Sequence, residues 1–208
     1  MDNLRSQIVD RIRRDAKRKV FIPKDFLDFG SREGIDKALS RLAKAGDIQR
    51  LGRGLYYVPR KNARLGVSVT PDTDEIASAL ARQTGTRIAP SGATAANRLG
   101  LSTQVPAKPV YLTDGRSRSV RVGNLTLVVK HVAPKDFPVG SQVSATVFQA
   151  LRYLGKDAVN PQVVARIRRN LSPKHRAMLL KDARYTTDWI AEAARQIAGA
   201  KVETAANG

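Results

Sequence analysis

The sequence contains no cysteine. That excludes disulfides and thiolate metal sites, and it fits a reducing compartment such as the cytoplasm. It also lacks any apolar run near the roughly 20 residues that a membrane span needs. The N-terminus is polar and has no signal-peptide core, so a cytoplasmic chain without a membrane partner is expected. Histidine is scarce. His131 and His175 lie far apart with no metal-ligand pattern around either, so both read as structural, and no metal site or cofactor is expected. Gly-rich phosphate loops of the P-loop type are missing. Carboxylates are sparse in the second half. Asp114 followed by an apolar strand ending at Lys130 has the outline of a metal-dependent nuclease core, but such a core needs a second acid two residues before the lysine, and Val128 stands there. A metal would lack its ligands, and no catalysis is expected.

Acidic residues are outnumbered, 18 Asp and Glu against 37 Lys and Arg, for a formal charge of +19 over 208 residues. Such a surplus favours a polyanionic partner, of which nucleic acid is the commonest. At 42% hydrophobic residues the chain can bury a core.

What is present is organised around residues 31–59, SREGIDKALSRLAKAGDIQRLGRGLYYVP. Ser31 can cap a helix. Ile35, Leu39 and Leu42, with Ala38, recur at helical spacing, and Gly46 supplies the stop. Residues 48–51 and 55–58 read as two strands around the turn Gly52-Arg53-Gly54. Upstream, Leu4, Ile8 and Ile12 give one face to a first helix over 3–17. Residues 19–22 read as a brief strand able to pair with the ribbon. Pro23 opens a short second helix over 23–29, in which Phe26, Leu27 and Phe29 supply bulk. This is the order of a winged helix-turn-helix.

A helix fits the major groove, and an arginine-tipped ribbon can lie along phosphates or in the minor groove. The helix would present Arg32, Glu33, Asp36 and Lys37 first. Arg32 is the expected base reader, because arginine can donate in bidentate fashion to guanine. Lys24, Ser31, Lys37, Arg41, Arg50 and Arg53 are the expected phosphate contacts, with Arg53 also placed for the minor groove. Tyr56 and Tyr57 are candidates for stacking, with one of them expected in the core.

Further along, 61–70 reads as a linker. A helix over 73–83 and a short small-residue helix over 93–99 precede strands at 109–113, 119–122 and 125–132, with turns at Asp114-Gly115 and Gly123-Asn124. Helices follow at 141–154, after Asn160-Pro161, after Ser172-Pro173 with Met178, Leu179 and Leu180, and from Thr187 or Asp188. The fold class is therefore α+β: an N-terminal winged helix-turn-helix over 1–60, then a C-terminal α+β domain over 71–198 with a small central sheet and several C-terminal helices. Residues 199–208 read as a disordered tail. A second basic cluster, Arg166, Arg168, Arg169, Lys174, His175 and Arg176, is either a solvated face or a further contact for DNA, RNA or an acidic partner.

The stretch DKALSRLAKAGDIQRLGRGLYYVP resembles the winged-helix domain of the AbiEi-type antitoxins, and APSGATAANRLGLSTQVPAKPVYLT resembles the start of that family's C-terminal domain. Beyond about residue 132 the likeness is only that of amphipathic helices. The resemblance implies an antitoxin of a type IV pair, encoded beside a nucleotidyltransferase-like toxin with which no stable complex is expected. Its N-terminal domain would bind promoter DNA and repress its own operon, and its C-terminal domain would carry the antitoxin activity. Two alternatives stay open. One is a DNA-binding regulator whose second domain binds a ligand or dimerises, with no toxin partner. The other is an RNA-binding protein using both basic patches.

Overall fold

The computed structural model describes residues 2–15, 18–61, 68–104, 106–122 and 125–200. The end of the expected first helix, most of the expected linker, the expected turn at 123–124 and nearly all of the expected tail lie outside these residues. Packing divides the chain into two compact units, Met1–Ile88 with Ser119–Leu127, and Ala89–Arg118 with Val128–Gly208.

The first unit opens with helix α1 (Asp2–Arg14), strand β1 (Val20–Phe21) and a 3-10 helix (Pro23–Phe29). Helix α2 (Arg32–Lys44) and the ribbon β2 (Gln49–Gly52) and β3 (Leu55–Tyr57) follow. This is the element order expected of a winged helix-turn-helix. The second helix is 3-10 rather than α, and it buries Phe26 while leaving Leu27 exposed. Ile8, Ile12, Phe21, Phe26, Ile35, Leu39, Leu42, Ile48 and Tyr56 form one core. Strand β3 is central in a three-stranded antiparallel sheet of order β1-β3-β2, so β1 does pair with the ribbon. Between Arg50 and Gly52 the β2 register shifts, which leaves Leu51 as a bulge.

The ends of α2 are fixed locally. The Ser31 hydroxyl accepts from the Gly34 N–H at 3.2 Å. At the other end Gly46, at φ +82°, donates to the Ala43 carbonyl, and the Asp47 N–H reaches back to Leu42 at 3.1 Å. These two bonds are a Schellman closure. A two-residue pair β4 (Arg60–Lys61) and β5 (Ser68–Val69) comes next. Helix α3 (Thr73–Thr84), which the sequence reading assigns to the second domain, groups with the first unit. Asp72 and Glu75 close a capping box at its start, and Gly85 in the left-handed region ends it.

The chain continues through β6 (Ile88–Pro90), α4 (Gly92–Arg98), β7 (Val110–Thr113), β8 (Arg118–Val122) and β9 (Leu125–His131). The four-stranded sheet has the order β6-β7-β9-β8. β7 and β9 run parallel, with Val110 opposite Val128 and Thr113 opposite His131. Helices α5 (Gln142–Leu154), α6 (Pro161–Asn170), α7 (Pro173–Asp182) and α8 (Asp188–Ala198) complete the second unit. Their core joins Ala95, Ala96 and Leu99 of α4 to Val147, Phe148, Leu151, Ile167, Leu179, Ile190, Ala194 and Ile197. Leu180 is exposed. Among the described residues no helix is long and apolar enough to cross a membrane.

Candidate nucleic-acid interface

The α2 stripe Ile35, Leu39 and Leu42 is fully buried. Helical geometry therefore puts Glu33, Lys37, Ser40, Arg41 and Lys44 on the opposite, exposed arc, while Arg32, three residues before Ile35, is exposed in the first turn at the flank of the stripe. Ser31 stands at the head of this arc, where its hydroxyl is occupied by the helix cap. Two ion pairs run along the arc. The Arg32 Nε–H donates to Asp36 Oδ2 at 2.9 Å, and Lys37 Nζ lies 2.6 Å from Glu33 Oε1. Lys37 therefore carries its own counter-charge. Arg41 is exposed and has no carboxylate partner among the described residues.

The ribbon presents the other cations. Gly52 pairs with Leu55, so the tip is Arg53-Gly54, with Gly54 at φ +68°. A left-handed residue at that corner is what lets the chain reverse there. The Arg53 side chain is exposed, and its carbonyl accepts from Gln83 Nε2 at 3.1 Å. Arg50 is exposed too, but it is tethered by a 3.2 Å bond from Nε to the Gly52 carbonyl. Lys24 is exposed on the 3-10 helix. The stacking role considered for the tyrosines is corrected: Tyr56 and Tyr57 are both buried. The sheet accounts for both. Tyr56 packs into the core of the first unit, while the Tyr57 hydroxyl donates to Gln49 Oε1.

Beneath this surface sits a buried acid that sequence reasoning passed over. The Asp25 side chain is 8% exposed, and it accepts from the Ile22 N–H at 3.0 Å. It meets Arg18 Nη1 at 3.1 Å and Arg82 Nε at 3.3 Å, while Arg82 Nη2 also donates to the Val20 carbonyl at 2.9 Å. One carboxylate thus ties the 3-10 helix, β1 and α3 together. Arg11 serves the same frame. Its two terminal nitrogens grip both Asp28 oxygens at 2.7 and 2.6 Å, with the guanidinium 4.0 Å from the centre of the Phe29 ring. The Asp28 bond, the largest influence, raises the Arg11 pKa, and the same bond holds the Asp28 carboxyl below its usual value. Asp25 and Gln83 carried no sequence signal, since they have partners 57 and 30 residues away.

The second basic cluster lies on α6 and α7 of the second unit. Arg166 is not a free cation, because its Nη1 donates to the Gly100 carbonyl at 2.6 Å. Arg168, Arg169 and Lys174 are exposed and Arg176 half-exposed, and none has a carboxylate partner among the described residues. His175 is half-buried, and its backbone N–H donates to Ser172 Oγ. His131 Nδ1 is hydrogen-bonded to the Gly115 carbonyl at 2.8 Å. No cluster of three or more potential metal ligands occurs among the described residues.

An α+β chain whose first unit presents an exposed cationic helix followed by an arginine-tipped ribbon is thus defined by its own geometry. The chain belongs to DUF6088, a family of unknown function whose model matches residues 7–179. No curated protein matches it.

Proposed function

We propose that the chain is a DNA-binding regulator that holds promoter duplex between α2 and the β2–β3 ribbon, represses its own operon, and acts as the antitoxin against a nucleotidyltransferase-like toxin. One observation carries the DNA half of this reading. The exposed sides of α2 and the ribbon present Arg32, Arg41 and Arg53 to solvent, with α2 leading directly into a paired ribbon. An α-helix of this width enters a major groove, and the cations that flank it neutralise phosphates. The antitoxin half rests on the likeness of residues 36–59 and 89–113 to the AbiEi-type antitoxins. The proposed setting is the cytoplasm, without catalysis or cofactor.

A titration against the duplex upstream of the gene tests the DNA half. Arg53→Ala weakens binding to every sequence alike and lowers the salt slope by about 1. Arg32→Ala also removes preference at one base pair, by about 1–3 kcal/mol. If both variants bind as the parent does, the module is not the reader. Co-expression with the neighbouring toxin tests the other half, with restored growth expected. Should DNA binding hold and growth fail, the chain is a regulator whose second unit has another role.

A further inference from the structure

Two arginines of the first unit, Arg11 and Arg32, meet an acid in contrasting ways, and the contrast is informative. Arg11 meets Asp28 end-on, with Nη1 and Nη2 both consumed. Arg32 meets Asp36 side-on through Nε alone, and its Nη1 and Nη2 have no partner among the described residues. Those two nitrogens form the edge that grips guanine O6 and N7. We infer that Asp36 is a positioning residue that holds the Arg32 guanidinium by its Nε edge and leaves the terminal edge aimed outward for a base. The inference rests on the DNA-binding reading above.

Helix stability does not explain the pair. Arg32 occupies the first position of α2, where the helix dipole disfavours a cation. The order, cation first and acid four residues on, is also the less favourable one. The neighbouring pair shows the contrast, because Glu33 precedes Lys37 and lies in the first turn, as stability would have it. Asp36 also brings a negative charge to a face meant to meet phosphates. A carboxylate there weakens binding to any duplex, which is tolerable only if it improves discrimination. In free solution the pair is half-exposed, 55% for Arg32 and 47% for Asp36. Docking would exclude water and stiffen it.

The experiment uses the full chain and two probes, a duplex library randomised over its centre and one fixed scrambled duplex. Wild type, Arg32→Ala, Asp36→Ala, Asp36→Glu and Glu33→Ala are each selected against the library. Arg32→Ala marks the base pair that Arg32 reads. Asp36→Ala loses preference at that same base pair, by about 5- to 100-fold, while its affinity for the scrambled duplex rises. Asp36→Glu keeps part of the preference. Glu33→Ala raises scrambled-duplex affinity and leaves the preference whole. Opposite signs at one residue are what a merely structural acid would not give. Asp36→Ala with its preference intact overturns the inference, as does equal loss in Glu33→Ala, or an Arg32→Ala variant that loses no base pair. A wild type that enriches no sequence and ignores the scrambled duplex instead fails the DNA-binding reading itself.

Discussion

At the scale of single residues, two acids do the most structural work, and each gives a measurable expectation. Asp25 gathers Arg18, Arg82 and the Ile22 N–H about a side chain only 8% exposed. Removing it strands a half-buried arginine, so Asp25→Ala lowers unfolding stability by about 3 kcal/mol, read from urea denaturation. Asp182 is the counterpart in the second unit. Its Oδ2 accepts from the Ser141 N–H at 2.8 Å at the start of α5. Burial alone would push this carboxyl up, but the Ser141 N–H, the Ser144 and Ser141 hydroxyls and the Lys181 charge together bring it below its ordinary value of 3.8. A lowered folded pKa adds stability above the unfolded pKa, and that stability is lost as pH falls through the folded one. Thermal melts of the parent and Asp182→Asn should therefore differ at neutral pH and converge as the pH falls through the lowered folded pKa; a gap that stays constant with pH would refute the assignment. A third expectation separates structure from binding in the basic cluster. Arg166→Ala, which frees the Gly100 carbonyl, lowers the melting temperature and leaves the salt slope of DNA binding unchanged.

At the scale of elements, α4 packs tightly against α5 in the second unit. A Cβ on Gly92 would stand 2.7 Å from Tyr153 Cβ and 3.1 Å from the Gln149 carbonyl. Glycine to alanine ordinarily favours a helix. Here the sign reverses, and Gly92→Ala costs about 1–3 kcal/mol, detectable as a lowered melting temperature. The small residues of SGATAANRLG were legible as a helix, because Ser91 precedes them and Gly100 stops them. Why they are small was not legible, since the partner helix lies 50 residues on. Other elements divide along the same line. The caps Ser31, Asp72, Ser141, Asn160 and Ser172 each accept the backbone bond expected of them, because capping is decided within four residues. Ser91 precedes α4 and Thr187 precedes α8, but neither side chain makes such a bond. Strands β7, β8 and β9 were found from their composition, yet the parallel pairing of β7 with β9 places β8 outside them both. Strand order is a long-range matter on which local pattern is silent. Strand β6 escaped notice because three residues ending in Pro90 carry no alternation to read. The 3-10 geometry at Pro23–Phe29 was missed because proline at a helix start suits either helix type.

At the scale of the whole molecule, a charge of +19 ensures some attraction to any polyanion. Attraction by itself therefore cannot distinguish a reader of DNA from a merely basic protein. The salt slope can, because it counts phosphates neutralised rather than charges carried. If the first unit does the gripping, its contacts are Lys24, Lys37, Arg41, Arg50 and Arg53, of which Lys37 must first leave Glu33. Five such contacts give a slope of log affinity against log salt of about −4.5. The expected series is then specific. Arg53→Ala brings the slope to about −3.6, and Arg168→Ala with Arg169→Ala leaves it where it was. A parent slope steeper by about two, which falls back when Arg168 and Arg169 are removed, would put the α6–α7 surface on the duplex as well. A slope that every substitution reduces equally would mean the charge acts as a diffuse cloud, and the ribbon would then have no privileged place in the contact.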